Sequence, residues 1–434
     1  MAPPWILLER VVRFLPGKAA AVTGGTAKEE ARSTTGRGGI RQGAATALPR
    51  REATTWTCEE RAKAMAAKLQ SMKPDLRALE PPEINHLFMV QHTVVGLRGG
   101  SISCTDKALV VLYAGSSSSG CYLVYDASDN SLCPIPQLPD PRTFRGLGAG
   151  AAILSLGNGS YVIAELVGAR SKFPNAELFL WWSRSQNQQA GQWIRRAVRL
   201  PPEVFTPGYF FRIDMAFTYA DSHVCWVDLL KGVLLCNLTT ESSPEPSFTY
   251  VPLPTGCSIE FDRRRRPRSQ LTRAMACCKG SIKFVALVGY RENCPGEDMV
   301  LTTWTLSPDQ KEWKEGTRQR VRDLWDSESF VDRGLPRVTP SSPVVSIDEA
   351  DVVYVVLNEI NRVDAADKFG VRGVNMVHKG QYVLRLDTVE NKVLRHSKVI
   401  PDKFTPRFPD LLASAFSAHL ESSKNHQVTF GQPA

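Results

Sequence analysis

The chain has 434 residues, of which 43% are hydrophobic and 22% charged, a composition typical of globular proteins and unlike that of a fibre or a wholly disordered chain. Its length is sufficient for one large domain or two smaller ones with a sizeable core. The formal net charge is +9, but residues 1–51 hold nine basic and only three acidic side chains. The rest of the chain is therefore nearly neutral, and the net charge is no argument for a nucleic-acid-binding fold.

The N-terminal 56 residues are predicted to be a mostly disordered, basic segment. Residues 16–55 are rich in Gly, Ala, Thr and Arg with almost no large apolar side chains, so they cannot bury enough surface to offset the entropy lost on ordering. A helix and a linker are predicted over residues 57–80. Thr57 and Glu60 have the spacing of a capping box, and strong helix formers follow them.

From about residue 85 the hydrophobic pattern changes to a period of two, which predicts short strands joined by polar turns. Residues 146–164 carry no charge, but Gly157-Asn158-Gly159 near their middle favours a hairpin over a membrane helix. The predicted strands of this region are Lys107–Ala114, Cys121–Tyr125, Ala151–Leu156, Tyr161–Leu166, Leu178–Trp182, Trp193–Leu200, Met215–Tyr219, Val224–Asp228, Val233–Asn237, Phe248–Leu253, Ile282–Val288, Met299–Leu306, Val344–Ile347, Val352–Leu357 and Tyr382–Leu386.

Several of these strand units end in an apolar residue followed by proline, at Pro139, Pro201, Pro254 and Pro401. The spacings between these prolines are 62, 53 and 147 residues, longer than the roughly 40–50 residues of a propeller blade. Inserted loops are therefore expected, and up to six irregular units fit. We predict an all-β, β-propeller-like array over residues 81–401; the alternative is two packed β-sandwich-like sheets.

The C-terminal residues 402–434 are predicted to be a tail with one short amphipathic helix. Asp410 is a candidate N-cap, and Leu412, Phe416 and Leu420 recur at four-residue spacing. Docking of this helix against the β-core is the first interpretation, and partner binding is the alternative.

One motif stands out within residues 222–256, which read SHVCWVDLLKGVLLCNLTTESSPEPSFTYVPLPTG. Trp226 is predicted to pack between sheets, because aromatic strand residues usually serve packing. Asp228 is expected to accept hydrogen bonds from turn amides, and Gly232 to supply a positive φ in a tight turn. We predict structural roles for all three residues.

The W-V-D-L-x-x-G-x-L-x-C core of this motif, followed by a Y-V-P-L-P strand, resembles the domain of unknown function 1618, a family expanded in grasses. The opening residues Met1–Leu8 are also similar to the start of such proteins. The similarity is clear over about residues 215–360. The resemblance implies a plant protein with a propeller-like fold and no established biochemical activity.

Common catalytic and metal-binding patterns are missing from the sequence. There is no Walker phosphate loop and no G-x-S-x-G elbow, and the glycines at 146, 148 and 150 do not follow a predicted strand. His223 and Cys225 could share a strand face, but no second pair with zinc spacing accompanies them. We therefore predict a protein that is not an enzyme and needs no cofactor or metal. The alternative is an enzyme whose site, at the propeller centre, would show inward-facing Asp, Glu or His.

A run of arginines is the most distinct feature outside the repeats. We predict a solvated loop outside the β-core, because the charges repel one another and Pro267 removes a ladder donor. Such a run could also be a nuclear-import signal or a contact patch for nucleic acid or an acidic protein. Its members are Arg263, Arg264, Arg265, Arg266 and Arg268.

Taken as a whole, the sequence favours a protein-interaction scaffold that binds an unknown protein partner through its loops. The alternative from the arginine run is a nuclear factor associated with nucleic acid. The first residues show no secretory apolar region and the ten cysteines include no Cys-x-x-Cys pair, so an intracellular location, cytoplasmic or nuclear, is expected without membrane contact. Import into an organelle stays open.

Overall fold

The computed structural model describes residues 2–16, 69, 72–91, 99–115, 120–139, 147–168, 174–184, 190–205, 211–238, 246–257, 259, 266–289, 296–366, 372–401 and 405–420. Strands dominate this part of the chain, as the period-two pattern predicts, and most of them pair with their neighbours in sequence. No helix among these residues is long and apolar enough to cross a membrane.

The strands follow one another in groups of four. After β1 (Ile6–Pro16), β2 (Lys73–Asp75) and β3 (Ile84–Gln91), the first blade contains β4 (Gly100–Asp106), β5 (Leu109–Ala114), β6 (Cys121–Asp126) and β7 (Ser131–Ile135). The second contains β8 (Ala151–Gly157), β9 (Ser160–Gly168), β10 (Asn175–Trp182) and β11 (Trp193–Arg199). The third contains β12 (Met215–Tyr219), β13 (His223–Asp228), β14 (Gly232–Asn237) and β15 (Phe248–Pro252).

The fourth blade contains β16 (Arg273–Cys278), β17 (Ser281–Val288), β18 (Val300–Leu306) and β19 (Trp313–Arg320). The fifth contains β20 (Pro340–Val345), β21 (Val352–Ala366), β22 (Arg372–Asp387) and β23 (Lys392–Val399). Two short helices, α1 (Val321–Asp326) and α2 (Glu328–Val331), connect these two blades, and the last described strand is β24 (Leu411–Ser414). Short 3-10 turns lie at Pro202–Val204, Ser269–Leu271, Gly296–Asp298 and Phe416–His419.

The sixth blade joins the two ends of the described chain. β24 pairs antiparallel with β1, β1 pairs parallel with β3, and β3 pairs antiparallel with β2. β1 also contacts the first blade, because Val11 and Val12 pair with Ser101 and Gly100 of β4. A single strand from the N-terminus therefore closes the ring between the last blade and the first.

Apolar packing between neighbouring blades completes the ring. One cluster joins the first three blades, and separate clusters join the third to the fourth, the fourth to the fifth, the fifth to the sixth and the sixth to the first. β1 serves two of them: Ile6 and Leu8 face the first blade, whereas Leu7 packs with Tyr354 of the fifth. Alternate side chains of one strand thus bury both of its faces. The fold is propeller-like, as predicted, rather than the alternative pair of packed sandwich-like sheets.

The predicted hairpin at Gly157-Asn158-Gly159 is confirmed. β8 and β9 pair on either side of it, and its three residues have φ values of 84°, 50° and 68°. These left-handed values are what glycine and asparagine tolerate best, and they match the twist of the adjoining strands. The uncharged stretch at residues 146–164 is therefore a strand pair in the second blade.

The prediction of a mostly disordered N-terminal segment is wrong in part. Residues 6–16 were predicted to lie in a mostly disordered segment, but they form β1, with Ile6, Leu7 and Leu8 fully buried. Residues 17–56 lie outside the described residues. So does most of the predicted helix: of residues 57–72 only Leu69, which is helical, and Met72 are described.

The C-terminal helix is also corrected. Leu412 lies in β24, and only Phe416–His419 form a short 3-10 turn. Backbone pairing of residues 411–414 with residues 6–9 outweighs the helical spacing of the apolar side chains. The fully buried Phe416 packs beside Tyr125, with ring centroids 6.2 Å apart. The first interpretation, docking against the core, is therefore correct for these residues.

Candidate functional site

Trp226 anchors the third blade to the second. It lies on β13, its side chain is fully buried, and its indole N–H donates to the Gly150 carbonyl oxygen at 2.7 Å. Its ring lies 5.9 Å from that of Phe248, centroid to centroid. The predicted position between sheets is therefore what the structure shows. The hydrogen bond across 76 residues was not foreseeable from the motif.

Asp228 ends β13 and organises the turns around it. Its Oδ1 accepts from the Leu230 amide at 3.0 Å, and its Oδ2 accepts from the Arg212 amide at 2.9 Å. The first of these is the turn contact that the sequence predicts. Asp228 is completely buried, so an ionised carboxylate here needs a cation as well as amides.

Gly232 is required for a different reason from the predicted one. Its φ does not lie in the left-handed region. A Cβ at this position would lie only 2.4 Å from the Val251 carbonyl oxygen and 2.8 Å from the Tyr250 ring. Gly232 therefore allows β15 to approach β14 closely, and the prediction of a positive φ is wrong.

Arg266 is the cation that Asp228 needs. Its Nη2 lies 2.6 Å from Oδ2 of Asp214 and 3.0 Å from Oδ1 of Asp228. Its side chain is 11% exposed, against 4% for Asp214 and 0% for Asp228. The prediction that the whole arginine run is solvated is therefore wrong for Arg266, which forms a buried bridge. Arg268 is exposed as predicted, and Arg263, Arg264 and Arg265 lie outside the described residues.

Asp214, which the sequence analysis missed, is the centre of this cluster. Its Oδ2 also accepts from the Leu229 amide at 3.0 Å and from the Ser269 hydroxyl at 2.9 Å. Burial raises the pKa of Asp214 to about 6, although Arg266 acts in the opposite direction. Asp214 immediately precedes β12 and belongs to no motif, so no local signal marks it.

A small cavity lies beside Asp214, close to the first residues of β12, β16, β20 and β24. Residues from the third to the sixth blades line it, including Asp214, Gln270, Arg273, Ser342, Asp410 and Arg10. The cavity has a volume of about 20 Å³, which is room for roughly one or two waters. The carboxylates of Asp214 and Asp410 line this cavity, and an arginine contacts each of them.

The second carboxylate of the cavity, Asp410, lies at the junction of the chain ends. Arg10 contacts it, with 3.4 Å between Nε and Oδ1, and donates through Nη1 to the Ser103 carbonyl oxygen at 2.9 Å. Beside this pair, Glu9 is buried and its Oε2 has no hydrogen-bond partner. Burial, and then the neighbouring Asp410, raise the pKa of Glu9 to about 7.

The candidate metal ligands do not converge. The His223 ring lies 2.8 Å from the Ser222 hydroxyl through Nδ1, and Cys225 is fully buried on the same strand. Among the residues that the structure describes, no group of three His, Cys, Asp or Glu side chains is arranged to hold a metal ion.

Comparison with protein families gives one match. Residues 226–354 match the family described as "Protein of unknown function (DUF1618)". This stretch begins at Trp226 and includes the motif on which the resemblance was based, so the resemblance is confirmed over these residues. Comparison with curated proteins finds no match.

Comparison with solved structures gives matches at very low identity and low TM-score. The β-propeller domain of the Trilobed protease from Pyrococcus furiosus is 10% identical, with a TM-score of 0.30, over 71% of this chain and 99% of that one. The WD40 domain of SCAP from fission yeast is 12% identical, with a TM-score of 0.29, over 77% and 73%. The tricorn protease is 12% identical, with a TM-score of 0.29 over 66% of this chain, and only 21% of its own chain is spanned. Likeness at this level carries no information on activity.

Proposed function

We propose that this protein is a non-catalytic protein-interaction scaffold of plant origin, acting in the cytoplasm or nucleus. The plant origin rests on the family resemblance. The unpaired thiols of the eight described cysteines are compatible with a reducing compartment. The observation that carries the scaffold proposal is a ribbon of two strands that extends from the fifth blade.

The ribbon is the outer half of β21 and β22. These strands pair with each other from Val352 and Asp387 to Ala366 and Arg372, with one shift of register between Glu359 and Ile360. The pairing of β20 with β21, however, ends at Leu357, and that of β23 with β22 ends at Gln381. Beyond these points each ribbon strand has only the other as a partner among the described strands.

Such a ribbon has the chemistry of a protein-docking element. Its outer edges present backbone donors and acceptors that a partner strand can pair with. Val363 and Val377 on the ribbon are 48% and 44% exposed, so they add apolar surface to those edges. We therefore infer a protein partner that contributes an extended segment.

The test combines site-specific crosslinking with a matched substitution. A photo-crosslinking amino acid in place of Val363 is expected to capture one reproducible partner in plant extract, and Val363→Asp with Val377→Asp should abolish the recovery of that partner by the full chain. Val389→Asp is the control, because Val389 is 59% exposed but lies at the opposite end of the hairpin strands. Equal recovery by the double variant and by the control would contradict the proposal.

A nuclear, nucleic-acid-associated role is the second candidate, and the burial of Arg266 weakens it by removing one cation from the run. The remaining argument for this role is the positive charge of Arg263–Arg265 and of the exposed Arg268. Replacing these four residues with alanine should reduce nuclear accumulation, or flatten the salt dependence of polyanion binding. If neither changes, this candidate should be dropped.

A further inference from the structure

We propose that the cavity beside Asp214 binds a small monovalent anion, of the size of chloride or formate, with Arg273 as its charge partner and Ser342 as a second donor. This proposal is independent of the scaffold function. It rests on an unpaired buried cation, an unpaired buried hydroxyl and the size of the space between the surrounding blades.

Arg273 is a buried cation without an ion pair. It begins β16, is 7% exposed, and donates through Nη1 to the carbonyl oxygens of Leu229 at 3.0 Å and Cys257 at 2.6 Å. No carboxylate among the described residues lies within ion-pair distance of it, in contrast to Arg10 and Arg266. Burial lowers the pKa of its guanidinium, although the nearby Cys257 and Asp228 act in the opposite direction. A buried guanidinium of this kind is costly unless an anion accompanies it.

Ser342 gives the second, independent observation. It lines the same cavity, it is buried, and its hydroxyl has no hydrogen-bond partner. It lies in the irregular part of β20 between Ser341 and Val344, with a φ of 48°. A non-glycine residue in this conformation carries backbone strain, which often marks a functional position. An anion would accept the hydroxyl proton that no protein atom receives.

The size and charge of the cavity limit the ligand. A cavity that holds roughly one or two waters can admit chloride or formate, but it is too small for a phosphate ester or a nucleotide. The carboxylates of Asp214 and Asp410 also line the cavity, and they are already contacted by Arg266 and Arg10. Asp228 influences the pKa of Arg273, but it does not line the cavity and is bonded to Arg266. The lining cation left without a direct anionic partner is therefore Arg273.

The test compares anions at constant ionic strength on the full chain. The melting temperature should rise in a saturable way when chloride or formate replaces gluconate, which is too large for the cavity, because a ligand that binds only the folded state stabilises it. Chloride-35 NMR line broadening measures the same binding directly and does not depend on stability. Arg273→Gln should weaken chloride binding by roughly tenfold or more, the effect of losing a charge-assisted contact. Arg268 is exposed and lies between β15 and β16, as Arg266 does. Arg268→Gln should leave chloride binding unchanged.

Ser342→Ala keeps the proposal testable if Arg273→Gln does not fold. Its hydroxyl has no partner in the protein, so its removal should leave the fold intact and weaken chloride binding several-fold. The proposal is overturned if the wild-type chain shows no difference between chloride and gluconate in either measurement. It is equally overturned if Arg273→Gln or Ser342→Ala binds chloride as tightly as Arg268→Gln does.

Discussion

Replacement of Arg266 by alanine separates a buried ion-pair bridge from a solvated charge run. The guanidinium makes contacts of 2.6 Å with Asp214 and 3.0 Å with Asp228, and the three side chains are 11%, 4% and 0% exposed. Arg266→Ala removes the guanidinium that pairs with both of these carboxylates. Breaking a buried pair in this way costs about 3–5 kcal/mol, so we expect a loss of that size in the free energy of unfolding.

The loss should depend on pH in a defined direction. The pKa of Asp214 is already raised to about 6 with Arg266 in place, and Arg266 lowers it, so the variant should hold this proton to a higher pH. A protonated Asp214 no longer needs a counterion, so the destabilisation should be smaller at pH 5 than at pH 8. Urea unfolding of the wild type and the variant at these two pH values measures both quantities.

Arg268→Ala is the matched control, because Arg268 lies two residues further along the chain and is exposed. It should change the free energy of unfolding by no more than about 0.5 kcal/mol. The buried-bridge interpretation is refuted if the Arg266 and Arg268 variants unfold at the same urea concentration. A pH-independent loss would show that packing of the arginine stem, rather than the charge, is what stabilises the fold.

Three further predictions concern stability. Burial raises the pKa of Glu9 from 4.5 to about 7, so the stabilisation of the fold by the protonated carboxyl is fully present below pH 4.5 and is lost as the pH rises through 7. Glu9→Gln should therefore remove about 3 kcal/mol of this decline in the free energy of unfolding, as measured by urea unfolding across this pH range. Trp226→Ala should cost about 3–5 kcal/mol and break the bond to Gly150, and an unchanged denaturation midpoint would mean that the indole is not part of the core. Leu8→Ala should cost about 2–5 kcal/mol, whereas Val11→Ala on the same strand, where the side chain is 49% exposed, should be nearly neutral; similar melting temperatures for these two variants would show that β1 does not close the ring.

The features that the sequence predicted correctly are local. The turn at Gly157-Asn158-Gly159 is specified by residues that tolerate a left-handed backbone, and period-two alternation marks the strands on either side. Sequential hairpins need no information beyond the adjacent residues. This explains why the pairing of β8 with β9 agrees with the prediction.

The features that the sequence missed depend on contacts between distant residues. β1 buries both faces, so Ile6–Leu8 form a continuous apolar run without alternation, and its partner β24 lies about 400 residues away. Leu412 has helical spacing to Phe416, but pairing with β1 decides its conformation. Arg266 is buried because of carboxylates 52 and 38 residues earlier in the chain, which a local count of charges cannot show.

The family motif and the proposed anion site share one network of contacts. Asp228 bonds to Arg266, which also holds Asp214 at the cavity wall, and the carbonyl oxygen of Leu229, the next motif residue, accepts from Arg273. A motif that looks purely structural in the sequence therefore positions the cation of the cavity. Stability and anion binding should consequently be coupled: chloride should stabilise the wild type more than it stabilises a variant such as Asp228→Asn, in which the turn that presents Leu229 loses a charged acceptor.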